Sequence, residues 1–161
     1  MVEIKEITSH SKLEEFVKFQ FSLFEDNPFW VPPLINEELE VFNRDKNPVF
    51  EHADARFFMA YKDGQAVGRI AAIINWIEVN QQKKPKVRFG WYDAVDDIEV
   101  TKALLRQVEK VGAEHELEFM EGPVGFSNMD KAGMLVEGFE ELNTMITWYS
   151  LPHYSAHLED L

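Results

Sequence analysis

Apolar residues form two long runs in the middle of the chain, over residues 57–61 and 66–74, with a four-residue connection between them. The connection is Lys62-Asp63-Gly64-Gln65, and Asp-Gly tolerates the positive φ angles that tight hairpin turns require. Both runs are nearly continuous in hydrophobicity, which is typical of strands that are covered on both faces. We therefore predict a central antiparallel hairpin that is buried between layers of helices.

The residues before this hairpin predict one strand and two helices. Residues 2–7 alternate apolar and charged side chains, which is the pattern of a short strand with one exposed face. Ser11 and Glu14 match a capping box, and the helix behind them carries an apolar stripe that should lie on the sheet. A second, acidic helix is predicted over residues 34–42, after an extended elbow that contains prolines. These helices supply the first covering layer.

The residues after the hairpin complete an α+β pattern. Gly90 interrupts a predicted strand and indicates a bulge or a close approach of other atoms to the backbone. Asp96 and Glu99 suggest a helix cap, and apolar residues follow them at helical spacing. Further strands are predicted over residues 87–92, 117–124 and 142–151. A final amphipathic helix is predicted over residues 152–161. A helix that joins two strands over about thirty residues fits a parallel crossover. The order predicts a mixed, mostly antiparallel sheet with helices on both faces.

Composition and charge narrow the classes of function. The 161 residues are 45% hydrophobic and contain no cysteine, so we expect one globular domain over residues 1–161 without disulfides or thiolate sites. The formal net charge is −13, which opposes binding to nucleic acid and to anionic membranes. No signal-peptide pattern and no uncharged run of membrane-spanning length is present, so we expect a cytoplasmic protein. The small basic cluster is expected to be a solvated loop: Lys83, Lys84, Lys86 and Arg88.

Five segments, spread in order over most of the chain, carry motifs of a known family. They are NPFWVPPL (27–34), DKNPVFEHA (45–53), FFMAYKDGQAVGRIAAI (57–73), FGWYDAVDD (89–97) and GPVGFSNMDKAGMLVEGF (122–139). These segments resemble the GNAT (acyl-CoA N-acyltransferase) superfamily, and especially a bacterial group of uncharacterised acetyltransferase-like proteins. The resemblance implies the GNAT fold. It also implies transfer of an acyl group from acetyl-CoA, or another acyl-CoA, to an amine.

Two features depart from the pattern of that family. GNAT enzymes hold the CoA pyrophosphate on a glycine-rich turn after the fourth strand, through backbone N–H groups at a helix N-terminus. The corresponding residues 93–99 contain no glycine and four carboxylates, which we expect to cap the helix. The resemblance also implies at least one more strand after the final helix. We expect the sheet to lack the last strands, and an open edge of this kind favours a homodimer.

The resemblance places one group of candidate site residues on the strand before the acidic turn. Main-chain groups around Phe89, Gly90 and Trp91 would hold the acyl thioester. Asp93, at the end of the same strand, would act as a general base towards an amine. The alternative for Asp93 is the structural role of the acidic turn.

A second group of candidates lies towards the end of the chain. Ser127, Asn128 and Asp130 follow the fifth core strand, where they would bind the acceptor or move its proton; the alternative is an Asx-type turn. Tyr154, or else Tyr149, would act as a general acid towards the leaving thiolate, with packing as the alternative.

Two further polar features of the sequence bear on possible sites. His153 and His157 are spaced i, i+4, but no third ligand accompanies them, so we expect no metal site. Arg69 lies within the apolar hairpin, where a charge needs a partner. That partner would be Asp54 or Asp93, unless Arg69 occupies an outward-facing strand position.

Two functions stay open on the sequence. The first is a GNAT-like N-acyltransferase. The second is a non-catalytic GNAT-like module that binds a small molecule or assembles as a dimer. The resemblance favours the first, whereas the missing glycine turn and the early end of the pattern favour the second.

Overall fold

The core of the protein is a five-stranded sheet in the order β1-β2-β3-β4-β5, in which only β4 and β5 run parallel. The computed structural model describes residues 1–161. The strands are β1 (Glu3–Glu6), β2 (Ala53–Lys62), β3 (Gln65–Asn75), β4 (Lys86–Ala94) and β5 (Phe119–Glu121). The helices are α1 (His10–Leu23), α2 (Ile35–Val41), α3 (Trp76–Asn80), α4 (Ile98–Glu114) and α5 (His153–Asp160), and Pro48–Glu51 forms a 3₁₀ turn. The predicted mixed α+β fold with a mostly antiparallel sheet is confirmed.

The central hairpin is formed by β2 and β3, as predicted. Asp63 and Gly64 connect the strands with φ angles of 52° and 81°, which are the positive values that a two-residue hairpin turn requires. Residues of both strands enter two separate apolar clusters, one on each face of the sheet. The hairpin is therefore covered on both faces.

Different helices cover the two faces. On one face, α4 buries Val100, Leu104 and Val108 against the sheet, and Tyr154 of α5 joins the same cluster. On the other face, α1 buries Phe16 and Val17 against the sheet residues of a second cluster. The apolar spacing predicted for both long helices is therefore confirmed, and the β4–β5 edge lies between the two layers.

Two predicted helix caps are displaced by one or two residues. Ser9, not Ser11, caps α1, and its side chain accepts a hydrogen bond from the Lys12 N–H at 3.4 Å. Asp97, not Asp96, caps α4 and accepts from the Glu99 N–H at 3.1 Å. A capping residue has extended backbone angles immediately before the first helical residue, and Ser11 already lies inside the first turn of α1.

The strand predicted over residues 142–151 is wrong. This segment is irregular, and its apolar residues Met145 and Ile146 are 72% and 78% exposed. The residues have high strand propensity, but that propensity depends on a neighbouring strand, and no strand pairs with this segment. The strand predicted over residues 117–124 is present but short, as β5 at the edge of the sheet. The homodimer expected from an open edge stays a prediction.

None of the helices combines the length and the apolar composition that crossing a bilayer requires.

Truncation of Leu104 tests the packing of α4 on the sheet. Leu104→Ala removes a fully buried side chain, so we expect the free energy of unfolding to fall by about 2–5 kcal/mol. Urea unfolding followed by circular dichroism measures this change. Leu142→Ala is the matched control, because Leu142 is exposed; its effect should stay within about 0.5 kcal/mol. Equal effects of the two substitutions would contradict the packing described above.

Candidate functional site

The β4 and β5 strands diverge after only three residue pairs, which end at Arg88 and Glu121. At the point of divergence the Val124 N–H donates a hydrogen bond to the Phe89 carbonyl at 2.8 Å. Beyond this bond β4 bulges: its register with β3 shifts, and Trp91 adopts a φ angle of 47°. The bulge predicted from Gly90 is therefore confirmed, and it lies at the edge that was expected to hold a thioester.

The main-chain edge at Gly90 is covered by the protein itself. The cover comes from residues 122–152, named here the covering segment, which connects β5 to α5. A Cβ atom on Gly90 would lie 2.5 Å from the Val124 carbonyl oxygen and 3.1 Å from the Trp148 ring. Only glycine fits at this position, so the close approach predicted at Gly90 is also present.

The side chains on either side of Gly90 face opposite layers. The ring of Phe89 belongs to the apolar cluster beneath α4, whereas Trp91 belongs to the cluster beneath α1. Trp91 packs against Phe126 and Trp148 and donates its indole N–H to Glu38 at 2.8 Å. The bulge thus lets Phe89 and Trp91, which are only two residues apart, face different layers of the protein.

Asp93 and Tyr154, two predicted catalytic residues, meet at the end of β4. The Tyr154 hydroxyl donates to Asp93 Oδ1 at 3.2 Å and accepts a hydrogen bond from the Ala94 N–H at 3.1 Å. Asp93 Oδ2 accepts from Arg69 Nε at 2.8 Å and from Gln20 Nε2 at 2.9 Å. The exposed fractions of Arg69 and Asp93 are only 1% and 2%. Asp93 is thus the partner of Arg69, and the outward-facing position considered for Arg69 is wrong.

Burial governs the protonation of this group. Burial raises the pKa of Asp93, and the Arg69 guanidinium opposes that rise. Burial, followed by the nearby charge of Asp93, raises the pKa of Tyr154 well above its ordinary value. The phenol therefore stays protonated at neutral pH, and both oxygens of the carboxyl are engaged by donors.

The N-terminus of α4 is occupied by the acidic turn. The Asp97 side chain caps the helix and contacts the Lys62 ammonium at 2.7 Å. The bond from Lys62 lowers the pKa of Asp97, and the bond from the Glu99 N–H adds to this effect. Asp96 lies 3.2 Å from Nε2 of His157 on α5. The helix terminus that holds a pyrophosphate in GNAT enzymes is therefore filled by the protein's own carboxylates.

The loop that carries Ser127, Asn128 and Asp130 is held by its own hydrogen bonds. Asp130 Oδ2 accepts from the Ser127 N–H at 2.7 Å, and Ser127 Oγ accepts from the Met129 N–H at 3.1 Å. This arrangement is the turn that was considered as the alternative to a ligand site. Asn128 also reaches out of the loop, because its Oδ1 accepts from the buried Arg88 at 2.8 Å.

Arg88 and Lys86 belong to a buried ionic network, so the solvated loop expected for the basic cluster is wrong for these two residues. Arg88 donates to both carboxylate oxygens of Glu78, at 2.8 and 2.6 Å. Lys86 lies 3.3 Å from the same carboxylate and also pairs with Glu121. Burial tends to raise the pKa of Glu78, but Arg88 and Lys86 outweigh it and lower the pKa. The network ties α3 and β5 to β4.

A cavity of about 600 Å³ opens beside the divergence, between α4, α5 and β5. Its apolar lining is provided by Phe89, Leu105, Met120, Leu158 and Leu161. Lys102 and Arg106 lie on its α4 wall, and neither takes part in any of the ion pairs of the structure. We name this the α4–α5 cavity. Glu109 and Glu121 also line it, so the cavity combines an apolar lining with two cations and two carboxylates.

Sequence reasoning missed several residues that shape this region. Gln20 is a polar residue on the apolar stripe of α1, and its position there signals a buried partner, which is Asp93. Lys102 and Arg106 were overlooked, although their i, i+4 spacing places them on one face of a predicted helix. Among His, Asp and Glu side chains, no group of three or more is arranged to hold a metal ion.

Comparison with known proteins relates this chain to parts of two longer curated proteins. Protein YghO of Escherichia coli (strain K12) is 32% identical over 158 residues, which cover 98% of this chain and 40% of the relative. Bacterial ceramide synthase of Caulobacter vibrioides (strain NA1000 / CB15N) is 29% identical over 135 residues, which cover 83% and 35%. The chain thus spans less than half the length of these relatives. No family model matches it.

Solved structures with the same fold are acetyltransferases. An aminoglycoside acetyltransferase from an uncultured soil metagenomic sample, in complex with sisomicin, superposes with a TM-score of 0.52 at 14% identity, covering 77% of this chain and 78% of that one. An acetyltransferase of the GNAT family from Staphylococcus aureus MU50 gives 0.51 at 17% identity, over 77% and 74%. A predicted acetyltransferase from Clostridium acetobutylicum, solved with acetyl-CoA, gives 0.51 at 13% identity, over 75% and 79%. The chain has the GNAT acetyltransferase fold.

The lowered pKa of Glu78 makes a testable contribution to stability. A carboxyl whose pKa is lower in the folded state than its ordinary value of 4.5 stabilises the fold above that value, and the contribution is lost as the pH falls through the folded-state pKa. Glu78→Gln should therefore destabilise the protein at pH 7 and weaken the acid dependence of the unfolding midpoint. Thermal unfolding between pH 3 and pH 7 measures both effects. Glu37→Gln, at an exposed carboxylate without an ion pair, should keep the dependence of the parent protein.

Proposed function

We propose that this chain forms the core of an N-acyltransferase that moves an acyl group from an acyl-CoA to an amine. The α4–α5 cavity is the observation that carries the proposal. It opens where β4 and β5 diverge, and Phe89, a predicted thioester-binding residue, lies in its lining. Fold alone does not establish a reaction, so the support comes from the chemistry of this cavity.

The cavity matches the two halves of an acyl-CoA molecule. The acyl group and the methyl and methylene groups of a pantetheine arm suit the apolar lining, while phosphate groups need cations. Lys102 and Arg106 supply those cations from one face of α4. We propose that they bind the phosphates of the donor in place of the glycine-rich turn. This assignment fits the acidic turn, because Asp97 already satisfies the helix N-terminus and would repel a diphosphate.

The names of the compared proteins agree with this proposal. The Clostridium acetobutylicum acetyltransferase was solved with acetyl-CoA, and the Caulobacter relative is called a ceramide synthase. A ceramide is an amide, so both names are consistent with the acylation of an amine.

The reaction needs a nucleophile, a base and an acid. The amine nitrogen attacks the thioester carbonyl carbon, a C–N bond forms, and the C–S bond breaks to release a thiolate. We propose that Tyr154 protonates the thiolate, because its hydroxyl lies at the main-chain edge of β4 and is held there by Asp93. Both carboxylate oxygens of Asp93 already accept hydrogen bonds, so we propose that Asp93 acts by holding the Tyr154 hydroxyl in position. Asp130, an exposed carboxylate, takes the proton that the amine loses.

A second candidate function is supported by the cover on Gly90. Because the Val124 carbonyl and the Trp148 ring leave no room for even one added carbon atom at Gly90, this part of β4 is closed to a thioester in the structure described. A protein that kept the fold only to bind a small molecule, or to assemble, would show the same closed edge. Binding of the donor and turnover therefore have to be tested separately.

Donor binding is tested by thermal unfolding with acetyl-CoA. A ligand that binds only the folded state stabilises it by about 2.7 kcal/mol at a hundred times its dissociation constant, roughly a rise of 5–10 °C. We expect this rise for the parent protein and its loss in Lys102→Met/Arg106→Met. Lys83→Met/Lys84→Met removes two exposed charges outside the cavity and should keep the rise. No rise at millimolar acetyl-CoA would reject the proposal.

The role of Tyr154 is tested by turnover. Release of CoA thiol is easily followed with a thiol reagent, because the protein itself contains no cysteine. Tyr154→Phe should lower kcat by about 10²–10⁴ while leaving the KM for acyl-CoA nearly unchanged. Tyr61→Phe is the control, because Tyr61 is also buried and hydrogen-bonded, but it donates to Glu15 and lines neither cavity. Unchanged kcat in Tyr154→Phe would remove Tyr154 from the mechanism.

A further inference from the structure

A second cavity, of about 460 Å³, lies between the C-terminal end of α1 and the covering segment. Aromatic rings and carboxylates share its wall: Phe24, Phe29, Phe139, Tyr149, Glu25 and Asp26. The covering segment is fixed here by hydrogen bonds, since Asn27 donates to the Tyr149 hydroxyl at 3.0 Å and that hydroxyl donates to the Phe139 carbonyl at 2.8 Å. We name this the α1 cavity.

The aromatic wall of the α1 cavity suits a cation. Phe24 and Tyr149 pack edge to face with their ring centroids 5.5 Å apart, and at 1% and 5% exposure they form the buried base of the cavity. Phe29 and Phe139 are half-buried and complete the wall. The faces of aromatic rings attract ammonium groups, and several rings around one site are a common way to bind them.

The charges around the α1 cavity have one sign. Glu25 and Asp26 line it, no ion pair of the structure involves either residue, and no basic residue lies in the last turn of α1. The C-terminal end of a helix also carries the negative end of its dipole. A cationic group in the cavity would meet these charges together with the rings.

The α1 cavity and the α4–α5 cavity lie on opposite faces of the sheet. Each has a lining residue next in the chain to one of the residues that crowd β4: Tyr149 follows Trp148, and Phe89 precedes Gly90. A donor in one cavity and an acceptor in the other would thus approach β4 from opposite faces.

Exposed apolar side chains lie beside the α1 cavity. The Asn143 N–H donates to the carbonyl of Phe29 at 2.8 Å, which places the neighbouring Leu142 near the cavity wall. Leu142 is 69% exposed, and the same stretch of the covering segment also exposes Val136, Met145 and Ile146. An apolar surface of this kind gains free energy when a hydrocarbon chain covers it.

We propose that the α1 cavity binds a primary ammonium group that carries a hydrocarbon chain. The rings and carboxylates hold the ammonium, and the chain lies along the exposed apolar residues of the covering segment. The proposal rests on the proposed N-acyltransferase function, for which it names the acceptor site and the class of acceptor.

Calorimetric titration with octylamine tests this site without any turnover. We expect octylamine to bind, and binding to weaken as salt is added, because salt screens the partly exposed carboxylates. Octanol, which has the same chain without the charge, should bind about tenfold more weakly or not at all. Equal binding of octylamine and octanol would overturn the assignment of a cation site.

Two variants locate the site, and one serves as the control. Glu25→Gln/Asp26→Asn should weaken octylamine binding about threefold to tenfold and remove most of its salt dependence. Phe139→Leu keeps an apolar side chain but removes a ring face, so it should weaken binding by a similar factor. Glu37→Gln, on the same side of the sheet but outside the cavity, should bind as the parent protein does. Unchanged binding in both cavity variants would overturn the proposal.

The same titrations separate this inference from the proposed function. If acetyl-CoA raises the unfolding midpoint but octylamine binds without dependence on Glu25, Asp26 or Phe139, the donor site stands and the acceptor site falls. If octylamine binds as expected but acetyl-CoA has no effect on the midpoint, the α1 cavity stands as a ligand site and the acyltransferase function falls.

Discussion

The buried pair of Arg69 and Asp93 is the interaction on which the arrangement of the other elements depends. Burying either charge alone would cost several kcal/mol, so each must be paired and fully hydrogen-bonded. The structure meets this need with groups from four elements: Arg69 comes from β3, Asp93 from β4, Gln20 from α1 and Tyr154 from α5. Arg69 also donates to the main-chain carbonyl of Phe16 in α1. A shift in the register of β3 and β4, or in the position of α1 or α5, would therefore leave a buried charge without its partners.

The sequence was informative where the physical signal is local. Hydrophobic periodicity and turn chemistry predict the central hairpin and the two long helices. Arg69 is the one charge inside an apolar run, and this position indicates that it needs a charged partner. Signals that depend on distant neighbours failed. Residues 142–151 have the composition of a strand, but no other strand pairs with them. Arg88 was expected in a solvated loop, because no local pattern in the sequence identifies Glu78 as its partner. The cations of the α4–α5 cavity were missed for the same reason, since a cavity is made by elements far apart in the chain.

The chemistry of the site follows from how the sheet opens, more than from any single motif. An apolar cavity that carries both cations and carboxylates opens on one face beside the divergence of β4 and β5, and an aromatic cavity that carries carboxylates lies on the other face. The acidic turn fills the N-terminus of α4 with the protein's own carboxylates, so the phosphate contacts that we propose lie on the side of the helix. On this proposal, a GNAT fold keeps acyl transfer while it replaces the usual means of holding the donor.

The contact between Trp148 and Gly90 has a consequence for how binding is measured. A ligand that occupies the space over Gly90 can bind only those molecules in which the Trp148 indole has moved, because even one carbon atom added at Gly90 would lie 3.1 Å from that ring. Its apparent dissociation constant then equals the intrinsic constant divided by the fraction of molecules that are open. Any compound that displaces the indole from the side of the α1 cavity raises that fraction, so it tightens binding on the other face. By reciprocity the second ligand tightens binding of the first to the same degree, and the two ligands would bind cooperatively without touching each other.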